Sequence, residues 1–129
     1  MQKTILFGIG TALLFLCSCT NQNTYDVRVV NSTQSEIKVD YKSETHRDGP
    51  VQNSVIISPG TDKVIISTKE LDGALPNLCD SVALYVRASD IPIGRNSKLE
   101  WCSDEVKLEQ IDIEQYQYLM EFKPEHFTR

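Results

Sequence analysis

From Tyr25 onward the chain alternates between apolar and polar residues, with a period of two. Tyr25, Val27 and Val29 are interleaved with Asp26 and Arg28, and Ile37, Val39 and Tyr41 with Lys38, Asp40 and Lys42. That is the in-out pattern of half-buried strands. Asn31-Ser32-Thr33-Gln34-Ser35 between them is turn chemistry, so the two segments read as neighbours joined by a short loop. A third strand centres on Val55, Ile56 and Ile57. Ser58-Pro59-Gly60-Thr61 then places Pro and Gly in the order of a type II turn, and Val64, Ile65 and Ile66 close that hairpin. Three consecutive β-branched residues in each arm predict burial on both faces or a local bulge.

Regularity lapses from Thr68 to Asp80, where Leu71, Leu75 and Leu78 are scattered apolar pins in a crossing loop. Val82, Leu84 and Val86 restore the alternation, with Ala83, Tyr85 and Arg87 outward. Asp90 to Lys98 is rich in turn residues and leads to Trp101-Cys102. In the last third, Val106 and Leu108, Ile111 and Ile113, and then Tyr116, Tyr118, Met120 and Phe122 alternate with polar residues. The phase shifts after Leu108 and again before Tyr116. A helix through Leu108, Ile111, Gln115 and Leu119 would bury a poorer face, so strands are favoured, with Lys123 to Phe127 as a closing turn. The chain therefore predicts an all-β fold, an antiparallel β-sandwich of about seven or eight strands with an immunoglobulin-like or related topology; an open barrel is the alternative. A true immunoglobulin domain places its bridged cysteines far apart with a Trp between them, and here Trp101 adjoins the second cysteine.

The first residues follow another rule. After Lys3, Ile5 to Leu16 is an apolar run ending in Leu16-Cys17-Ser18-Cys19. It is too short for a membrane span, which needs ~20 apolar residues, and suits a signal peptide. Its end resembles the bacterial lipobox, with Leu at −3, Ser at −1 and Cys at +1. That resemblance implies that Cys19 becomes the lipidated first residue of the mature protein; for Cys17, Leu16 would occupy the position that wants a small residue. Residues 1–18 then form the signal peptide, 19–24 a polar flexible tether and 25–129 the sandwich domain.

The mature 111 residues carry 18 acidic and 12 basic side chains, a net charge of −6 with no basic block. Nucleic acid and anionic surfaces, which need clustered Lys and Arg, are therefore unexpected partners. Two cysteines remain, Cys79 and Cys102. In an exported protein an even pair invites a disulfide, worth about 3 kcal/mol for a loop of about two dozen residues; two free buried thiols are the alternative.

No zinc motif, phosphate loop or nucleophile elbow is present, and no cofactor is expected. His46 with Asp48 and Glu44 lies in the polar stretch Ser43 to Pro50, which reads as a solvated loop in preference to a metal site. Carboxylate pairs such as Asp104 with Glu105, or Glu109 with Asp112, read as ordinary surface charges, so a non-enzyme is favoured.

Several stretches together carry a resemblance: Leu-x-Ser-Cys, Tyr-Asp-Val-Arg-Val-Val-Asn, Ile-Ser-Pro-Gly, Asp-Ser-Val-Ala-Leu-Tyr and the closing Tyr-Gln-Tyr-Leu-Met-Glu-Phe-Lys-Pro-Glu-His-Phe. The chain resembles the small β-sandwich lipoproteins of Bacteroidetes. That resemblance implies an outer-membrane lipoprotein, on the periplasmic face because positions 20 to 25, Thr-Asn-Gln-Asn-Thr-Tyr, hold no acidic residue. It also makes Asp80-Ser81-Val82 similar to an O-glycosylation acceptor, with Ser81 carrying the sugar.

The expectation is a non-catalytic binding or accessory module of an envelope assembly, held to the membrane through Cys19 and meeting a protein partner. His46 to Val51 and Ile91 to Ser97 are its candidate contact loops. An immunity-type lipoprotein neutralising a toxin is a second reading, and an enzyme a third.

Overall fold

The computed structural model describes residues 22–68, 71–72, 79 and 83–128. Cys19, Ser81 with its flanking Asp80 and Val82, and most of the Thr68 to Asp80 loop lie outside the described residues. Eight strands run in chain order: β1 Gln22–Asn31, β2 Ile37–Ser43, β3 Val51–Ile57, β4 Asp62–Ser67, the two-residue β5 Leu71–Asp72, β6 Leu84–Asp90, β7 Lys107–Asp112 and β8 Gln115–Phe122. A 3-10 helix, Pro124–Phe127, follows. One sheet has the order β4-β1-β8-β7, with β5 paired to the start of β1, and the other has the order β3-β2-β6. The fold is an all-β sandwich. Among the described residues every strand pairing is antiparallel except β1 with β8, which run side by side in the same direction.

The alternation read from the sequence determines which face is buried. Tyr25, Val27 and Val29 of β1 and Tyr118, Met120 and Phe122 of β8 are sealed against the other sheet, which contributes Ile37 and Val39 of β2 and Leu84 and Val86 of β6. Burial of side chains this size contributes roughly 1.5–3 kcal/mol each before the entropy of ordering them. Tyr25 meets Tyr118 edge-on at 5.3 Å between ring centroids, and Trp101 also meets Tyr118 edge-on, at 5.5 Å. β1 begins at Gln22, so Gln22, Asn23 and Thr24, expected as tether, are paired backbone. Gln22 and Asn23 face β5, and the Thr24 N–H donates to the Glu114 carbonyl at 2.9 Å.

Two connections differ from the hairpins the pattern suggested. β1 and β2 are joined by a short loop, yet they belong to different sheets. The same holds for β3 and β4, although the turn between them has the expected form, with Gly60 at φ +73° and the Thr61 N–H donating to the Ser58 carbonyl. The physical reason is Asn31. Its fully buried side chain donates from Nδ2 to the carbonyls of Ser35, at 2.8 Å, and Ile57, at 2.9 Å, while Oδ1 accepts from the Thr33 N–H and Oγ1. Its backbone N–H donates to the Thr61 carbonyl, and its carbonyl accepts from the Gly60 N–H. One residue thus ties both connections into arches between the sheets.

The two phase anomalies in the pattern are also explained. The run Val64-Ile65-Ile66 carries a bulge: Val27 faces Ile66 while Arg28 faces Val64, so Ile65 is the extra residue. The shift after Leu108 is an irregularity between Gln110 and Asp112, and the shift before Tyr116 is the turn at Ile113 and Glu114.

Asn31→Ala removes four side-chain hydrogen bonds, among them the buried one to the Ile57 carbonyl. It is expected to lower the stability of the domain by about 3 kcal/mol in urea unfolding. A loss below about 1 kcal/mol would mean that the arches hold without it.

Candidate functional site

β6 is an edge strand whose two ends are treated differently. Leu84, Val86, Ala88 and Asp90 point into the sandwich, and Tyr85, Arg87 and Ser89 point out. On the side away from β2, the last part of β6 is covered by its own returning loop. The Ser97 N–H donates to the Ala88 carbonyl at 2.8 Å, and the Asp90 N–H donates to the Arg95 carbonyl at 3.0 Å. The chain then leaves the edge and turns Leu99 and Trp101 into the core.

What remains beside Leu84–Arg87 is a cleft of about 410 Å³, with Val86, Leu99 and Trp101 in its walls, Arg87 and Asp40 at its rim and Cys79 and Cys102 at one side. Volumes of this order accommodate a small ligand or a few residues of peptide.

The backbone bordering the cleft has a definite polarity. Because the Ala88 carbonyl points away from β2, antiparallel geometry turns the N–H and C=O of Val86, two residues earlier, to the same side. Among the described residues no hydrogen bond satisfies them there. Trp101 Nε1, which belongs to a wall residue that is only 5% exposed, likewise has no hydrogen-bond partner among the described residues. Backbone groups on a strand edge are open to an extended segment, whereas the Trp101 indole N–H is sealed beneath the cleft wall. On the outer face the Arg87 guanidinium lies 5.1 Å over the Tyr85 ring and is opposite Asp40 in the strand register.

Asp90 closes the covered end. Arg95 donates to it from its backbone N–H and from Nε at 2.9 Å, and Nη2 lies 2.7 Å from Oδ2. Burial works to raise the Asp90 carboxyl, but the hydrogen bonds and charge of Arg95 outweigh it and hold the group below its ordinary value. The loop from Ile91, which contains a cis Ile91–Pro92 bond, is fixed by this pair.

The structure brings Cys79 and Cys102 together at the surface with no bond between them, the Cys79 S–H donating to the Cys102 carbonyl at 3.9 Å. Their being exposed differs from the buried-thiol alternative. The hydrogen bond to Cys102 pushes the Cys79 thiol up, with desolvation and the neighbouring charge adding to it.

The histidines are held in place by backbone. His46 Nδ1 accepts from the Ser67 N–H at 3.0 Å, and its Nε2 lies 3.6 Å from Asp48 Oδ2, while Glu44 turns to Lys42. This loop is therefore pinned to β4 through His46, while Glu44, Thr45, Arg47, Asp48 and Pro50 stand exposed as a solvated loop would. His126 Nδ1 accepts from the Lys123 N–H at 2.9 Å, which leaves the Nε2 proton for Glu105 Oε1 at 3.0 Å. Glu109 accepts from Gln117, and Asp112 from the Ile113 N–H. Neither histidine has a ring nitrogen left to take a proton from a nucleophile. Among the described residues no three His, Cys, Asp or Glu side chains gather as metal ligands.

The two loops singled out by composition lie at opposite ends of the sandwich. His46 bridges to Thr68 beside Tyr25, whereas Ile91 is bonded to Glu36 beyond Asn31. Six residues of strand, about 20 Å, separate these levels. The cleft was missed in the sequence, where its signal was the apolar pair Leu99 and Trp101 inside an otherwise turn-like stretch. The chain matches no known family model, and no match is found among curated proteins or solved structures.

Because Asp90 is depressed in the folded state, its ionised form stabilises the fold above the unfolded carboxylate pKa of about 3.9, and that contribution disappears as pH falls through the lower folded value. Asp90→Asn should therefore be less stable than the parent at neutral pH. The difference should shrink below about pH 4 in thermal unfolding followed from pH 7 to pH 2.

Proposed function

We propose that this chain is an exported lipoprotein, anchored through Cys19 in the outer membrane on its periplasmic face, and that it works as a non-catalytic binding module for a protein of the cell envelope. The observation that carries the binding reading is the edge of β6 bordering the cleft, where the Val86 N–H and C=O have no partner among the described residues. Such an edge takes an extended segment as an added strand, with main-chain bonds supplying affinity and the cleft selecting side chains. The pinned histidines and locally paired carboxylates support contact over chemistry. The anchoring rests on Leu16-Cys17-Ser18-Cys19, since a multiply acylated cysteine holds a domain to a bilayer without a span.

In the same reading, Cys79 and Cys102 close into a disulfide after export. Each thiol loses its proton, and the electron pair passes to the compartment's thiol oxidant. Because the thiolate is the attacking species, the raised Cys79 thiol slows that closure near neutral pH, and the rate climbs as pH rises.

Capture from native envelopes tests the binding reading. The lipidated parent should recover an envelope protein, and Arg87→Glu should recover it several-fold less well, because it sets a second carboxylate opposite Asp40 at the rim of the cleft. Equal recovery with Arg87→Glu would exclude the cleft.

The bridge is tested by alkylation of the exported protein under denaturing conditions. Cys79 and Cys102 should resist modification until reduced, and reduction should lower the melting temperature by roughly 10 °C or more. Modification of both without reduction would refute it.

A further inference from the structure

Resting on the anchoring through Cys19, we infer that the β7–β8 turn is a second membrane contact, in which Ile113 and Ile111 enter the interfacial region of the bilayer that holds the lipid. Ile113 is 80% exposed and Ile111 is 51% exposed, on the tip of a hairpin. A two-residue turn ordinarily carries Asn, Asp or Gly. Here it is Ile113-Glu114, with Glu114 in the left-handed region at φ +59°, so the sequence places a large apolar side chain outward where neither turn geometry nor core packing asks for one.

The position of the chain's anchor identifies the occupant. Cys19 precedes Gln22, the first residue of β1, by three residues, a reach of at most about 11 Å. Two residues into the strand, Thr24 donates its N–H to the Glu114 carbonyl at 2.9 Å. The lipid attachment and the isoleucine tip are thus fixed to the same end of the molecule. β1 and β8, running parallel, both lead away from it toward Asn31 and Phe122.

The charges select the kind of surface. Glu109, Asp112 and Glu114 accompany Lys107 on the hairpin, so the tip suits a zwitterionic bilayer and gains nothing from anionic lipid. Asp112 is turned back to the backbone, its Oδ1 accepting from the Ile113 N–H at 2.8 Å, which leaves the isoleucine foremost.

The test uses the full lipidated protein, reconstituted in phosphatidylcholine vesicles with and without brominated acyl chains. Ile113→Trp reports on the tip, and Ser58→Trp, in the turn that bonds to Asn31 at the far end, serves as the control, with the Trp101 signal of the parent subtracted from each. Ile113→Trp should lose roughly half of its emission to brominated lipid while Ser58→Trp loses almost none, as expected for a side chain lying at the headgroup–acyl boundary.

Equal, weak quenching of both variants in protein that floats with the vesicles would overturn the contact and leave the anchoring intact. Failure of the protein to float would overturn the anchoring and the contact together. A tip unquenched in vesicles but shielded from acrylamide in native envelopes would assign it to a protein, which also overturns the inference.

Discussion

The side chain of Asn31 determines how the two sheets are connected. An amide offers two donors and two acceptor positions, and all four are used here, on three backbone groups and one hydroxyl. Burying such a group is favourable only when every bond is made, because each orphaned polar atom costs about 1–3 kcal/mol. The fully bonded amide therefore acts as a selector. A hairpin between β1 and β2 would leave it unsatisfied, whereas the arch satisfies it and brings the Pro59-Gly60 turn alongside.

From that selection the functional geometry follows. With β1 and β4 in one sheet and β2 and β3 in the other, β2 is free to take β6 on its second side, and β6 becomes an edge. Arg95 and Ser97 cover only its last residues, so the cleft opens beside Val86. Inside the other sheet, β8 lies parallel to β1, which brings the β7–β8 turn to the point where the chain enters the domain. The end nearest Cys19 and the end built on Asn31 are thereby separated by the length of β1.

Much of this was legible along the chain. Tyr25, Val27 and Val29, or Tyr118, Met120 and Phe122, declare their buried face through alternation alone, and even the bulge at Ile65 and the irregularity after Gln110 appear as breaks of phase. Partners in the sheet were not legible, because a strand-loop-strand segment shows the same alternation whether it folds as a hairpin or as an arch. The deciding residue, Asn31, looks like any turn asparagine. Exposure at an edge was hidden for a related reason: Ile56, Ile111 and Ile113 carry the residue types of a core strand, and only the sheet order shows that nothing covers them. The polar stretch around His46 shows its solvent exposure in the sequence but not its tether, because the Ser67 backbone that holds His46 is 21 residues away. The proximity of Cys79 and Cys102 followed from an argument about export and was found in the fold.

Hydrogen exchange of the intact domain tests the role of Asn31 most directly. The N–H groups of Asn31, Thr33 and Gly60 all lie in or beside loops, where exchange is ordinarily fast, yet each is bonded within the Asn31 cluster. They are predicted to exchange as slowly as the Val27 and Met120 amides of the central strands, opening only when the whole domain unfolds. Exchange of Asn31, Thr33 and Gly60 at the rate of an exposed loop, with Val27 and Met120 still protected, would contradict the claim that this amide locks the sandwich.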